Sequence, residues 1–206
     1  MFNALIVEKD EESGKTSAAV QQISEDALPA GDVTVAVEYS TVNYKDGLCI
    51  GPGGGLVRTY PHVPGIDFAG TVEASDDARY SPGDKVVLTG WRVGEAHWGG
   101  YAQKARVKAD WLVPLPEGLD TRQAMAIGTA GFTSMLAVMA LEDHGLVKDA
   151  GPVLVTQICQ NGGGHRSNTS GRTGYQHRAR IFDQPMVFQC HNGQHRREPR
   201  CADGHG

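Results

Sequence analysis

Cysteine is scarce where the chain looks best suited to fold. Residues 1–156 contain Cys49 alone, so no disulfide framework can hold that stretch together. The opening MFNALIVEKD has a short apolar run and no basic region before it, so no targeting or bilayer-spanning segment is expected there. A cytoplasmic protein with no membrane partner is the resulting expectation. Positive charge is also in deficit, with 19 Lys and Arg against 24 Asp and Glu and a net charge of −5. No basic stripe interrupts the acidic part, so no nucleic-acid partner is expected.

The most informative absences are local. Residues 157–206 contain no Leu and no Lys. Before Thr156 the chain carries 12 basic and 21 acidic side chains, a net −9; beyond it, 7 Arg face 3 acidic residues, a net +4. The same 50 residues hold five of the eight His and three of the four Cys: Cys159, Cys190 and Cys201. Their strong apolar residues are Ile158, Ile181, Phe182, Met186, Val187 and Phe188, with Pro185 inside the one cluster. So little apolar surface cannot offset the entropy of ordering the segment, and an irregular tail is expected.

What is present before Thr156 has the punctuation of a compact β domain. MFNALIVEK and DVTVAVEYS are strands, and Val33, Val35 and Val37 alternate with Thr34, Ala36 and Glu38, the period of a half-buried sheet. FAGTVEAS and DKVVLTGW continue the series across a tight turn at Ser81-Pro82-Gly83-Asp84. YAQKARVKADWLVPLP supplies one or two strands more. Short strands at this spacing predict a barrel or sandwich over residues 1–118.

From Asp120 the period changes. Asp120 or Thr121 can cap a helix whose Phe132, Met135, Leu136 and Met139 share one face, with Gly145 as its stop. Gly128 and Gly131 inside this stretch predict a break, or a close approach by another backbone or a ligand. Val153, Leu154 and Val155, ending at Thr156, then read as a buried parallel strand. β domain, helix and buried strand, in that order, are how a dinucleotide-binding domain begins.

VNYKDGL (42–48), YPHVPGIDFAGTVE (60–73), PGDKVVLTGW (82–91), HWGGYAQKARVKADWLVPLP (97–116) and AMAIGTAGFTSMLAVMALEDHG (124–145) carry a resemblance. They look like the zinc-free medium-chain dehydrogenase/reductases, and within them the acrylyl-CoA reductase and quinone-oxidoreductase-like subgroup. The resemblance covers residues 1–156 nearly continuously. It implies a mainly β GroES-like barrel domain over 1–118, interdomain helices and the first strand of an α/β Rossmann domain over 119–156, and a cytoplasmic NADPH-dependent reductase of acryloyl-CoA to propionyl-CoA. An acyl-CoA or quinone substrate and a homodimer belong to the same implication. Asn43 and Ile66 stand where zinc-bearing relatives have Cys and His, and neither side chain can replace those ligands. No zinc is therefore expected in the main domain. The chemistry implied is hydride delivery to an activated alkene, with donors stabilising an enolate-like transition state.

The candidate site residues lie on the same segments. Tyr44 belongs to the stretch that lines the cleft in such enzymes, where a phenol can donate a hydrogen bond or contact the nicotinamide; a Tyr packed at a strand end is the plainer alternative. Asn43 can orient substrate or a cofactor amide, or tie down a turn. Asp67 is expected to hold a cleft side chain or neighbouring backbone. Thr129 falls where the resemblance places the nicotinamide, although a helix Thr bonded to its own backbone fits as well. Trp98 can wall a substrate cleft beside Gly99 and Gly100, or those glycines simply make a tight turn. Arg58 can meet a CoA phosphate, or stand solvated on its loop.

Thr156, itself a cofactor-binding candidate at the end of the strand, should in such enzymes lead directly into a glycine-rich turn and an apolar helix, whose amides and dipole receive the pyrophosphate. Instead Gln157, Ile158, Cys159, Gln160 and Asn161 intervene before Gly162 and Gly164, and residues 165–180 offer only Tyr175 and Ala179 as partly apolar positions. The tail 157–206 is therefore expected to be foreign to the fold, most simply an out-of-frame continuation, in preference to a fusion or an alternative C-terminus. Two-domain enzymes of this type need roughly 300 residues. Cys190, His191, His195, Cys201 and His205 could supply zinc ligands, but their spacing fits no common module. Two expectations result: a reductase by descent, and a chain that is catalytically inert without an intact cofactor site.

Overall fold

The computed structural model describes residues 1–51 and 55–147, together with the strands at 154–157, 176–181 and 184–190. The chain divides into two compact units, Met1–Ala140 and Leu141–Gly206.

In the first unit, strands β1 (Phe2–Lys9) and β2 (Thr16–Ile23) form an antiparallel hairpin, in register from Phe2 opposite Ile23 to Lys9 opposite Thr16. The expected strand at 1–9 is β1. β2 carries no periodic apolar signal, because most of its side chains are exposed, and it is absent from the sequence-based expectation. Strands β3 (Val33–Ser40), β4 (Asp67–Ser75), β5 (Lys85–Thr89), β6 (Lys104–Val107) and β7 (Val113–Pro114) make an antiparallel sheet in the order β6-β3-β4-β5-β7. All of these fall on segments whose alternation predicts strands. Asp84 N–H donates to the Ser81 carbonyl, closing the expected turn, with Gly83 at φ 99°.

The alternation places the core. Val33 and Val35 of β3, Phe68 and Val72 of β4, Val86 and Leu88 of β5 and Val107 of β6 pack in one buried cluster. Register shifts at Thr34/Val35 and Val37/Tyr39 bend β3 against β4. A second cluster, Phe2, Ala4, Ile6, Leu28 and Val63, packs under β1. Gly65 and Gly99 are where the segment before β4 crosses the one before β6: a Cβ on Gly99 would lie 2.3 Å from the Gly65 carbonyl oxygen. The glycine after Trp98 is therefore packed against another backbone.

Helix α1 (Tyr44–Ile50) follows β3, and α2 (Thr121–Asp143) follows β7. The sequence pattern does not announce α1, which has seven residues and buries only Asp46 and Cys49. At the start of α2, Asp120 and Gln123 exchange hydrogen bonds, the Asp120 carboxylate accepting from Gln123 N–H at 2.6 Å and the Gln123 amide oxygen accepting from Asp120 N–H at 2.9 Å. Thr121 Oγ1 donates to Glu38 at 2.7 Å, and Glu38 also accepts from Lys85 and Thr71 on the sheet. The Lys85 hydrogen bond, helped by the two hydroxyls, holds the Glu38 carboxyl at about 2. A half-exposed ion pair contributes little alone, but here it fixes the helix entry to two strands.

Gly128 divides α2 with φ 49° and ψ −161°, so the expected break occurs at this glycine. By length and composition α2 is apolar enough to cross a membrane. The break leaves neither part at the roughly 20 residues a straight span needs, and Ala124 and Met125 pack against Ala69 of the sheet. Beyond the break, Phe132, Met135, Leu136 and Met139 are each about half exposed. The helix ends at Asp143; Gly145 has φ 94°, and Leu146 N–H donates to the Leu141 carbonyl.

In the second unit β8 (Leu154–Gln157) realises the expected strand, displaced by one residue. It pairs in parallel with β10 (Gln184–Cys190), which pairs antiparallel with β9 (Gln176–Ile181). The sequence predicts an irregular tail over 157–206, and at these two segments the structure has strands instead. The β-prone run around Met186, Val187 and Phe188, shortly after β9, gives the physical basis for a hairpin. Cys159, Cys201, His191, His195 and His205 lie outside the described residues.

His62 is buried, and among the described residues its Nε2 has no hydrogen-bond partner. Burial holds the imidazole below its ordinary value of 6.5. The folded chain then binds its proton less readily than the unfolded chain, so stability is full above about pH 6.5 and falls as the pH drops. His62→Leu should flatten the part of this loss between pH 7 and 5, measured by urea unfolding at stepped pH; an unchanged slope would remove His62 from the acid transition.

Candidate functional site

The structure gathers Asn43, Thr41, Asp67 and Thr129 into one cluster at the break in α2. Asp67 opens β4 and is fully buried. Its Oδ2 accepts from Thr41 Oγ1 at 2.8 Å, from Asn43 Nδ2 at 3.2 Å and from the Thr129 backbone N–H at 2.9 Å. Its Oδ1 accepts from Thr129 Oγ1 at 2.5 Å. Asn43 Nδ2 donates in addition to Thr41 Oγ1 at 2.6 Å. Asp67 thus holds side chains and backbone around it, in keeping with the structural role expected from the sequence.

A second buried carboxylate lies beside this cluster. Asp46 accepts from Asn43 N–H at 2.8 Å and from Ile66 N–H at 2.9 Å, tying the start of α1 to the residue before β4. Tyr101 donates to the Thr41 carbonyl at 2.9 Å. Burial first, and the charge of Asp46 second, push the Tyr101 phenol well above its ordinary value, so it stays a hydrogen-bond donor throughout the physiological range. Burial likewise raises the Cys49 thiol to about 11, and its Sγ contacts the Gly94 carbonyl at 3.2 Å; it is a packed thiol, not a nucleophile.

Tyr44 is the first residue of α1 and 52% exposed, close to the almost fully exposed Val42. Of the sequence-predicted site residues, Asn43, Tyr44 and Thr129 therefore share one region. Trp98 does not join the cluster: its Nε1 donates to the Pro61 carbonyl at 3.1 Å and its ring packs against the cluster under β1. Arg58 is exposed on the loop before β4. Thr156 lies in β8, in the second unit.

Thr41, Asp46 and Tyr101 escape the sequence reading. Asp46 has a usable signal, since an acidic residue three positions after Asn43 has the spacing of a helix-capping pair. Thr41 and Tyr101 have none, because their roles depend on contacts across 26 and 60 residues of chain.

The donor chemistry also bears on metal. Asn43 and Ile66 offer an amide and an aliphatic group, and the Asn43 nitrogen is committed to Thr41 and Asp67. Among the described residues no group of three or more His, Cys, Asp and Glu is placed to hold a metal ion.

Gly128 is required by this arrangement. A Cβ there would sit 2.8 Å from Thr41 Cγ2 and 3.2 Å from Asp67 Oδ2, and its dihedrals belong to a region that side chains seldom enter. Gly128→Ala should cost about 1–3 kcal/mol from backbone strain, with additional loss from the Thr41 contact. Chemical denaturation checks it, and a cost below about 0.5 kcal/mol would mean that the break relaxes freely.

Comparison with known proteins agrees with the geometry. Residues 29–117 match the alcohol dehydrogenase GroES-like domain. Over 156 residues the chain is 85% identical to the acrylyl-CoA reductase AcuI of Ruegeria pomeroyi, covering 76% of this chain and 47% of that protein. A crystal structure of the yhdH oxidoreductase from Salmonella enterica in complex with NADP superposes with a TM-score of 0.70 at 58% identity, covering 75% of this chain and 47% of that one. The yhfP protein of Bacillus subtilis with NAD bound gives a TM-score of 0.72 at 47% identity, covering 75% and 46%. The chain spans about half the length of the curated relatives it matches. The chain thus holds an alcohol dehydrogenase GroES-like domain over residues 29–117, and over about three quarters of its length it is similar to the acrylyl-CoA reductases and to the YhdH- and YhfP-type oxidoreductases.

Proposed function

We propose that residues 1–156 are the catalytic-domain portion of an NADPH-dependent reductase of acryloyl-CoA, and that this chain by itself does not hold the cofactor productively. The first half rests on one observation, the 85% identity to an acrylyl-CoA reductase across 156 residues. The cleft residues suit the assignment: Tyr44 is an exposed phenol able to donate to the carbonyl oxygen as charge develops on it, and Thr129 and Asn43 are fixed by Asp67 beside it. The likeness to the putative quinone oxidoreductase YhfP, 44% identical over 175 residues, keeps a quinone or enone as the alternative substrate.

The second half rests on the residues beyond Thr156. The nicotinamide side of an NADPH site finds its residues in the first unit: an exposed aromatic and aliphatic lip at Tyr44 and Val42, with Thr129 held by Asp67 in the adjoining cluster. The pyrophosphate side does not fit. Five residues separate Thr156 from the first glycine of the run, and the polar, glycine-interrupted stretch 165–180 has no apolar face for a helix whose amides would receive phosphate. No step through the cofactor is therefore assigned to this chain. Residues 157–206 are proposed to be foreign to the family, an out-of-frame continuation in the simplest case, and a cytoplasmic location and homodimeric parent remain part of the same proposal.

Fluorescence titration of the purified 206-residue chain with NADPH tests both halves together with an assay of acryloyl-CoA-dependent NADPH oxidation. The expected outcome is a folded protein with no saturable binding at micromolar concentration and no turnover. Saturable binding with turnover of acryloyl-CoA would overturn the inert reading and keep the substrate; turnover of quinones alone would overturn the substrate.

A further inference from the structure

Gly90, Trp91 and Arg92 follow β5 with φ of 87°, 55° and 59°, three successive residues in the left-handed region. Val93 N–H donates to the Gly90 carbonyl at 3.1 Å, closing a turn with Trp91 and Arg92 as its two central residues. Turns of this hand favour Asn and Gly at those positions, because a bulky side chain is strained at positive φ. The fold holds the strained pair from its C-terminal side. Val93 is completely buried in the sheet core, and the Arg92 carbonyl accepts from Ala96 N–H at 2.9 Å, Glu95 N–H at 3.2 Å and His97 N–H at 3.3 Å. Burial of the two side chains does not offset the strain, since Trp91 is 59% exposed and Arg92 is exposed as well.

What the turn achieves is a surface. Trp91 stacks on Trp111 with ring centroids 6.3 Å apart and planes 16° apart. Trp111 is itself fixed: it packs against the sheet core, the His97 ring meets it edge-on at 5.1 Å, and Lys108 Nζ lies 5.6 Å from its centroid. Trp91 therefore has a held aromatic partner and still presents much of its indole to water. The charges nearby are unequal. Glu95 is paired with Lys45 at 2.7 Å and Asp110 with Arg79 at 2.6 Å, whereas among the described residues no carboxylate pairs with Arg92 or Lys108. An open aromatic face thus sits with two cations whose charge is left unneutralised.

We propose that Trp91, Arg92 and Lys108 form a binding site for a purine nucleotide, whose base stacks on the Trp91 indole and whose phosphate monoester meets the two cations. A planar base gains from an indole face whatever its hydrogen-bonding edge, guanidinium binds phosphate through two parallel hydrogen bonds, and Lys adds a point charge. The strain at Trp91 and Arg92 is retained because a relaxed Asn-Gly turn would connect the same segments and offer neither group. None of the three residues takes part in the Asp67 cluster, and the proposal does not depend on the reductase reading. A free nucleotide and the nucleotide end of coenzyme A present the same chemistry to the site.

The test uses the full 206-residue chain labelled with nitrogen-15, whose three indole N–H signals belong to Trp91, Trp98 and Trp111. Trp98, bonded to the Pro61 carbonyl, is the internal control. Adenosine 3′,5′-bisphosphate should shift the Trp91 signal saturably, leave Trp98 in place, and bind at least about tenfold more tightly than adenosine, the range of one hydrogen bond to a charged group. Trp91→Gly should abolish the response at Trp111, and Arg92→Gly should lower the affinity for the bisphosphate toward that for adenosine. Glycine suits both turn positions, so both variants fold, and Arg92→Gly should raise the urea midpoint. Coenzyme A separates the sources: binding as tight as the bisphosphate assigns the site to the larger molecule's nucleotide end, and weaker binding assigns it to free nucleotides. Absence of a saturable shift at Trp91, an equal shift at Trp98, or equal affinity for adenosine and the bisphosphate would overturn the site. A lowered midpoint in Arg92→Gly would overturn the strained turn on which it is built.

Discussion

A single buried carboxylate, Asp67, ties β3, β4 and the break in α2 together. Among the described residues no cation pairs with Asp67; four hydrogen bonds from Thr41, Asn43 and Thr129 stand in for the water it has lost. Hydrogen bonds to a charged group are worth roughly 1.5–3 kcal/mol each, and a buried carboxylate lacking them would cost far more than it returns. The constraint runs outward from there. The chain after β3 must bend so that Thr41 and Asn43 reach the start of β4, and α2 must break so that a free N–H meets the same oxygen. Gly128 is the residue at which that break is sterically open.

The β domain supplies the rigidity that the cluster needs. β4 lies between β3 and β5 in the sheet, so Asp67 is placed by ladders on both sides. Glu38 and Asp46 extend the same principle to the two helices: Glu38 binds the first turn of α2 to Lys85 and Thr71, and Asp46 binds the first turn of α1 to the backbone of Ile66. Three acidic side chains, each satisfied by specific donors, thus fix two helix starts and one helix break against one sheet. The apolar row Phe132, Met135, Leu136 and Met139 stands beyond the break, about half exposed.

Much of the β domain is legible because its strands alternate. Val33 and Val35 go inward at the expected period, and the Pro-Gly turn at 82–83 is dictated by local backbone preference. The helix boundary at Asp120, the break at Gly128 and the stop near Gly145 are likewise local events, set by capping side chains and by glycine's access to positive φ. β2 is not legible, since a strand with most side chains in water carries no apolar period. α1 is too short to show one. The strands β9 and β10 depart from the expectation of an irregular tail, because composition weighs a segment as a whole and misses a short β-prone run within it.

The sequence by itself determined the likeness of residues 1–156 to the acrylyl-CoA and quinone reductases, the alternation that builds the sheet, and the abrupt change of character after Thr156. All of these are properties of residue type and local order. Tertiary structure alone decided which polar groups meet: Asp67 reaches Thr129 across 62 residues, and Tyr101 reaches Thr41 across 60. It also separated Trp98 from the cluster. Hydrogen bonds act over about 3 Å, whereas the sequence records only distance along the chain, and no local pattern carries a contact that the folded backbone creates.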